Sequence, residues 1–166
     1  MKNGIYWIEG PWIGRLGVAA RPRGADWLDE ELARWRRENV DTVVSLLTPE
    51  EESEFALESE CVRAHAQGMT FVSLPVQDRQ VPQSEAAVES VVHDLDNALS
   101  TGKNVVVHCR QGIGRSGLLA ACLLVQRGWT PDAAVQLLSK TREREVPETQ
   151  EQRRWIDRYA SKISVH

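Results

Sequence analysis

Lys103-Asn104-Val105-Val106-Val107 runs into His108-Cys109-Arg110-Gln111-Gly112-Ile113-Gly114-Arg115-Ser116-Gly117, and that stretch runs into Leu118-Leu119-Ala120-Ala121-Cys122-Leu123-Leu124-Val125. The first segment is a short β-branched run and reads as a buried strand. The last is apolar all round, the pattern of a buried helix. Between them stand a cysteine, three glycines, two arginines and a serine. At the start of a helix these residue types make an anion cradle with a sulfur nucleophile at its floor. A Cys with an Arg six residues later arises by chance roughly 0.3 times in such a chain. Requiring also the Gly, the Ser and the preceding His lowers this to roughly 3 in 100,000. That leaves little room for the bland alternative, a Gly-containing turn beside a core cysteine.

Each residue type has a physical reason. The thiolate, not the thiol, is the nucleophile. Loop amides after Cys109, the dipole of the helix and Arg115 all favour an anion at that position. The backbone N–H groups of Arg110, Gln111, Gly112, Ile113, Gly114 and Arg115 are expected to hold phosphate oxygens. Gly112 and Gly114 permit positive φ and a close approach of backbone to ligand. Arg115 offers a two-pronged fork that a lysine cannot copy. Ser116 Oγ can donate a hydrogen bond to the sulfur and steady it as a leaving group.

At these residues the chain resembles the cysteine-based protein tyrosine phosphatases, and its compact size looks more like their dual-specificity branch. The family pattern is His-Cys, five residues, Arg, then Ser or Thr, and all of it is present. The resemblance implies Cys109 as nucleophile, Arg115 as phosphate ligand and His108 supporting the loop from behind. It covers most of the chain from about residue 40 onward. The low-molecular-weight branch carries its cysteine near the N-terminus, whereas Cys109 lies two-thirds along.

Thiolate chemistry on a phosphate ester needs an acid for the leaving oxygen and a base for water. Thr70-Phe71-Val72-Ser73-Leu74 reads as a strand and runs into Pro75-Val76-Gln77-Asp78-Arg79-Gln80-Val81-Pro82. Asp78 is the only acid between Glu60 and Glu85. In the resembled family a movable loop of this appearance supplies the general acid, and Asp78 matches in place and type. The alternative is a turn-forming Asp. Many relatives also place a Gln near the start of the last helix to position water. Gln150 and Gln152 are near that start here, but Glu148 holds the matching slot, so the role stays open.

The 166 residues suit one domain, 1–166, with a real core. A composition of 42% hydrophobic and 27% charged residues is that of a soluble globular chain. The net charge of −4 argues against nucleic acid or an anionic membrane as the main partner. Three cysteines without a CxxC indicate neither a disulfide framework nor a zinc site. No apolar run is long enough for a membrane span. A catalytic thiol wants a reducing compartment, so the cytosol is expected. No metal or cofactor is called for.

Elsewhere, Ile5-Tyr6-Trp7-Ile8 reads as an edge strand, with Trp7 and Trp12 as packing residues. Arg21-Pro22-Arg23-Gly24 is a turn with two cations, read as a solvated basic loop in preference to a substrate contact. Asp26 to Asn39 reads as a helix with Asp26 at its N-cap and Leu28, Leu32 and Trp35 inward. Thr42 to Leu47 is a strand. Thr48-Pro49-Glu50-Glu51 forms a capping box, and Glu50 to Glu54 read as structural acids in a helix to about Leu57. A helix from Ser59 to Gln67 ends at Gly68; Cys61 and His65 within it read as structural. Ser84 to Leu99 is amphipathic. Thr130-Pro131 caps a helix, and Arg142 to Glu145 read as a self-neutralised surface. Pro147 is expected to open a last helix with Trp155, Ile156, Tyr159 and Ile163 inward.

The pattern gives an α/β fold with a mostly parallel central sheet flanked by helices and the cradle at a strand's C-terminal end. The expected reaction is phosphomonoester hydrolysis through a phosphocysteine. The expected substrate is a phosphotyrosine protein, with phosphoserine or phosphothreonine, or a small ester such as an inositol phosphate, as rivals. A rhodanese-type sulfurtransferase would not call for Asp78. A non-catalytic phosphoresidue-binding module would have lost the cysteine or the acid.

Overall fold

The computed structural model describes residues 4–164. Five strands form one sheet in the order β1-β2-β5-β3-β4. The centre is β5 (Val105–Cys109), parallel both to β2 (Leu16–Ala20) and to β3 (Thr42–Ser45). Strand β4 (Thr70–Ser73) extends the sheet in parallel beyond β3, and β1 (Ile5–Ile8) closes the other edge antiparallel to β2. The expected mostly parallel α/β sheet is therefore present.

Alternation along β5 builds two cores from one strand. Val105 and Val107 face one side, with Leu16, Val18 and Val44, against α4 (Glu85–Ser100), α5 (Arg115–Gln126), α6 (Pro131–Arg142) and α7 (Gln150–Ser164). Val106 faces the other, with Val43 and Ala19, against α1 (Leu28–Arg37) and α3 (Glu60–Ala66). From Arg115 to Val125 every residue of α5 is buried, as its all-round apolar sequence requires. Burial on both faces of β5 likewise explains its unbroken Val run.

Capping chemistry sets several boundaries. Thr48 and Glu51 form the reciprocal capping box of α2 (Pro49–Glu54), with Pro49 in its first turn. Ser84 and Thr130 cap α4 and α6 through their hydroxyls. Two expectations need correction, and one strand carried no expectation. Asp26 lies inside a short 3-10 turn, Ala25–Trp27, and does not cap α1. Pro147 does not open the last helix; α7 starts at Gln150, where Thr149 Oγ1 accepts the Gln152 N–H at 3.1 Å. Strand β2 lay unmarked in the glycine-rich N-terminal stretch, yet it is β5's direct neighbour. Its core, Leu-Gly-Val-Ala-Ala, is too small and too uniformly buried to show an alternating pattern.

Candidate active site

Cys109 is the last residue of β5 and Arg115 the first of α5, so the cradle is the turn between the sheet's central strand and its most buried helix. Ser116 Oγ lies 3.2 Å from Cys109 Sγ, both buried. Cys109 is 3% exposed. Its small opening is a recess of about 30 Å³ lined also by Asp78, Arg110, Gln111, Gly114, Arg115 and Glu148. Sequence reasoning named all of these except Glu148 as site residues. Gly112 and Ile113 shape the turn from beneath: Ile113 is packed in the core, and Gly112 takes φ +73°. A Cβ on Gly112 would sit 2.5 Å from the Ala19 carbonyl carbon, so β2 leaves room there only for glycine. Gly114, expected to use positive φ, has φ −78°. Its missing side chain serves packing instead: a Cβ would stand 2.8 Å from Glu148 Oε1 and 3.0 Å from Gln152 Oε1.

The Arg115 guanidinium is buried and almost wholly engaged. It makes a fork to Glu51, 2.6 Å to Oε1 and 2.9 Å to Oε2, and donates to the Val76 carbonyl at 2.7 Å. Its second prong reaches Asp78 Oδ1 at 3.2 Å. Burial opposes the charge on Arg115, but the Glu51 hydrogen bonds, then the charges of Cys109, Glu51 and Asp78, outweigh it and hold its pKa above the ordinary value. Burial likewise opposes ionisation of Glu51, while Arg115, the Thr48 amide and Arg110 prevail and hold its carboxyl below the usual range. Glu51 thus serves twice, as cap of α2 and as anchor of the cradle arginine. Its structural reading stands, but the contact with Arg115 spans 64 residues of sequence and left no local mark.

Asp78 is brought over the cradle by the loop after β4. Besides Arg115, its Oδ2 lies 3.5 Å from Arg110 Nε. Arg110 in turn stands over the Phe55 ring at 4.8 Å and faces Glu51 and Glu54. The acid loop is tied to the start of α7. Gln152, completely buried, donates through Nε2 to the Gln80 carbonyl at 3.1 Å, and its Oε1 accepts the Glu148 and Thr149 N–H groups. Arg79, with φ +62°, pairs with Glu148 at 2.9 Å. With its amide so occupied, Gln152 positions the loop, and Glu148 is the α7-side group facing the recess.

Support beneath the cradle comes from residues sequence reasoning did not pair. His108 Nε2 meets Glu60 Oε2 at 2.6 Å, with both side chains fully enclosed, and the Trp35 ring packs on the imidazole at 6.0 Å. Glu60 had been only the first turn of an expected helix. Arg142 is a correction: it is 9% exposed and belongs to no self-neutralised surface. Its Nε donates to the Gly112 carbonyl at 2.9 Å, its Nη2 to the Gln111 carbonyl at 3.1 Å, and its guanidinium lies 3.9 Å over Tyr6. Its alternation with Glu143 concealed this role. Cys61 and His65 join no cluster of potential metal ligands among the described residues, and burial raises the Cys122 thiol far above its ordinary pKa, as suits a core residue.

Several known proteins are similar to the chain. Cyclin-dependent kinase inhibitor 3 of Sus scrofa is 28% identical over 104 residues, 61% of this chain and 49% of that protein. Dual specificity protein phosphatase 2 of Mus musculus is 32% identical over 63 residues, 37% of this chain and 20% of that protein. The chain thus spans half or less of the length of these relatives. The crystal structure of kinase associated phosphatase, with its catalytic-site cysteine replaced by serine, superposes with a TM-score of 0.88 at 20% identity over 98% of this chain and 96% of that one. Residues 17–129 match the family described as polymorphic toxin system, DSP-PTPase phosphatase, and the chain belongs to that family.

Proposed function

We propose that the protein hydrolyses phosphomonoesters in two steps through a phosphocysteine. The observation that carries this reading is that Cys109 Sγ, the Arg115 fork and the Asp78 carboxylate open onto one recess. In the first step sulfur attacks phosphorus, the S–P bond forms, the P–O ester bond breaks and Asp78 gives its proton to the leaving oxygen. In the second, water attacks phosphorus, Asp78 takes the water proton, the S–P bond breaks and inorganic phosphate leaves. Ser116 Oγ donates to the departing sulfur. Arg115 and the turn amides of 110–115 carry the charge of the transferring group, with no cofactor. A docked phosphate replaces Asp78 as partner of the Arg115 outer prong and so releases the acid for its task. His108 and Arg142 hold the turn in shape.

A phosphotyrosine side chain is the preferred substrate, with phosphoserine and phosphothreonine next. The recess wall offers Arg110 and, among the described residues, no lysine, which favours a protein phosphoester over an inositol phosphate, the second reading. No described helix is long and apolar enough to cross a membrane. A free thiol nucleophile fits the cytosol as working compartment. The test is release of p-nitrophenol from p-nitrophenyl phosphate in the presence of a chelator. Turnover lost in Cys109→Ser and Arg115→Ala supports the proposal; turnover unchanged in Cys109→Ser refutes it.

A further inference from the structure

Glu60 and His108 form a buried polar pair in apolar surroundings. Both side chains are enclosed, with Oε2 and Nε2 2.6 Å apart. Trp35 packs on the imidazole at 6.0 Å, and Ala19 stands beside His108 in the register of the sheet. Among the described residues, Glu60 Oε1 and His108 Nδ1 are buried with no hydrogen-bond partner. Orphaned buried polar atoms are destabilising, and two apolar side chains of similar volume would hold the same space at least as well. Packing alone therefore does not account for the pair.

Its place in the fold suggests what does. His108 immediately precedes Cys109 on β5, and successive residues of a strand point to opposite faces. The imidazole thus lies behind the sheet from the sulfur, whose own hydrogen-bond partner is Ser116 Oγ. His108 takes no proton from Cys109; what it presents to the sulfur is charge and fixed geometry. The His108 carbonyl accepts the Leu46 N–H at 3.0 Å, so the sheet holds the backbone while Glu60 holds the ring. A carboxylate on Nε2 keeps a proton on that nitrogen and decides which form of the ring is present. The positive end of the pair then stands next to Cys109 and the negative end beyond the ring, on α3. The titratable groups around the pair on neighbouring segments are acids. Burial, then the charges of Glu60 and Glu58, hold the Glu52 carboxyl of α2 above its ordinary range, with His108 opposing.

We infer that Glu60 is a positioning residue for the nucleophile: from α3 it fixes the proton and the orientation of His108, turns the positive end of the pair toward Cys109 and so favours the thiolate. The inference rests on the phosphatase reading, in which a thiolate attacks phosphorus, and adds to it a residue that never touches substrate.

The experiment follows alkylation of Cys109 by iodoacetamide against pH, read as the mass of the Cys109 peptide, in the wild-type chain, Glu60→Gln and Glu60→Asp. Glu60→Gln keeps the shape and removes the charge. The midpoint of its alkylation curve should rise by about one pH unit, which leaves about tenfold less thiolate on the acid side. The acid limb of kcat/KM for p-nitrophenyl phosphate should move in the same direction. Glu60→Asp retains the charge and should recover most of the shift. A packing role would lower the denaturant midpoint and leave the alkylation curve of the folded protein in place. That result, or an equal shift in both variants, overturns the inference. A second measurement needs no substitution. Because the thiolate and the His108 proton favour one another, alkylating Cys109 in wild-type protein labelled with ¹⁵N-histidine should change the ring signals of His108. Unchanged signals overturn the inference even if Glu60→Gln does not fold. Alkylation needs no phosphate ester, so the two readings fail separately. A Glu60-dependent curve in a protein that turns over no ester supports the positioning role and refutes the phosphatase reading alone.

Discussion

Two buried arginines hold the turn from 110 to 114, and their partners differ in kind. On the side of α2 and the acid loop, Arg115 is met by the Val76 carbonyl and by two carboxylates, Glu51 as a fixed fork and Asp78 as an outer contact. On the side of α6 and β1, Arg142 is met by backbone carbonyls and an aromatic ring. A phosphate can take the place of Asp78 on Arg115 because both are anions. Nothing in a substrate replaces the carbonyls on Arg142. In the proposed reaction the first side is therefore the part of the cradle that changes partners, and the second keeps its shape.

The largest effect belongs to the first side. Arg115→Ala removes the fork proposed to carry phosphoryl charge, and kcat/KM for p-nitrophenyl phosphate should fall about 10³-fold. Arg115→Lys should recover little of this, because an ammonium cannot grip both Glu51 and a phosphate. Asp78→Asn comes next, with an expected loss of about 10²-fold or more on phenyl and alkyl phosphates, whose leaving oxygens need a proton, and a smaller loss on p-nitrophenyl phosphate. An equal effect on good and poor leaving groups would remove Asp78 from the acid's role.

Arg142→Ala should separate the two sides. It strips donors from two carbonyls of the turn and should destabilise the fold by about 2 kcal/mol, read as a lower denaturant midpoint, with roughly a tenfold loss of kcat/KM. The leaving-group dependence should not change, since Asp78 is untouched; a change would show that the two sides are not separable. The smallest effect concerns acid. The Glu51 carboxyl is held below its ordinary value of 4.5 in the fold. Its contribution to stability is therefore complete above that pH and is lost as pH falls through the lower folded value. Glu51→Gln should flatten this part of the stability profile below pH 4.5 while preserving the cap, at a cost of about 1 kcal/mol at neutral pH, since the Val76 carbonyl and Asp78 still meet Arg115.

The same contrast governs what could be read from the sequence. The strand, turn and helix around Cys109 are contiguous, and their periodicity and residue types carry their structure in the order of the chain. Asp78 was legible because an acid stood alone in a proline-bracketed stretch after a strand. Glu51, Glu60, Gln152 and Arg142 act across 30 to 72 residues of chain, and each has a complete local explanation as a cap, a helix residue or a surface charge. Local sufficiency concealed their second partner. Strand β2 escaped for a related reason: Gly17 and its small neighbours are chosen by what lies above them, with Ile5 Cγ2 2.7 Å from where a Gly17 Cβ would be.

The most direct test is capture of the covalent intermediate. Asp78→Asn, mixed with p-nitrophenyl phosphate, quenched within one turnover and digested, should yield a Cys109 peptide heavier by one phosphoryl group. Cys109→Ser treated in the same way should show none on sulfur or serine. A protein that turns over phosphate esters with Cys109 unlabelled, or with the phosphoryl group on another residue, would contradict the phosphocysteine route.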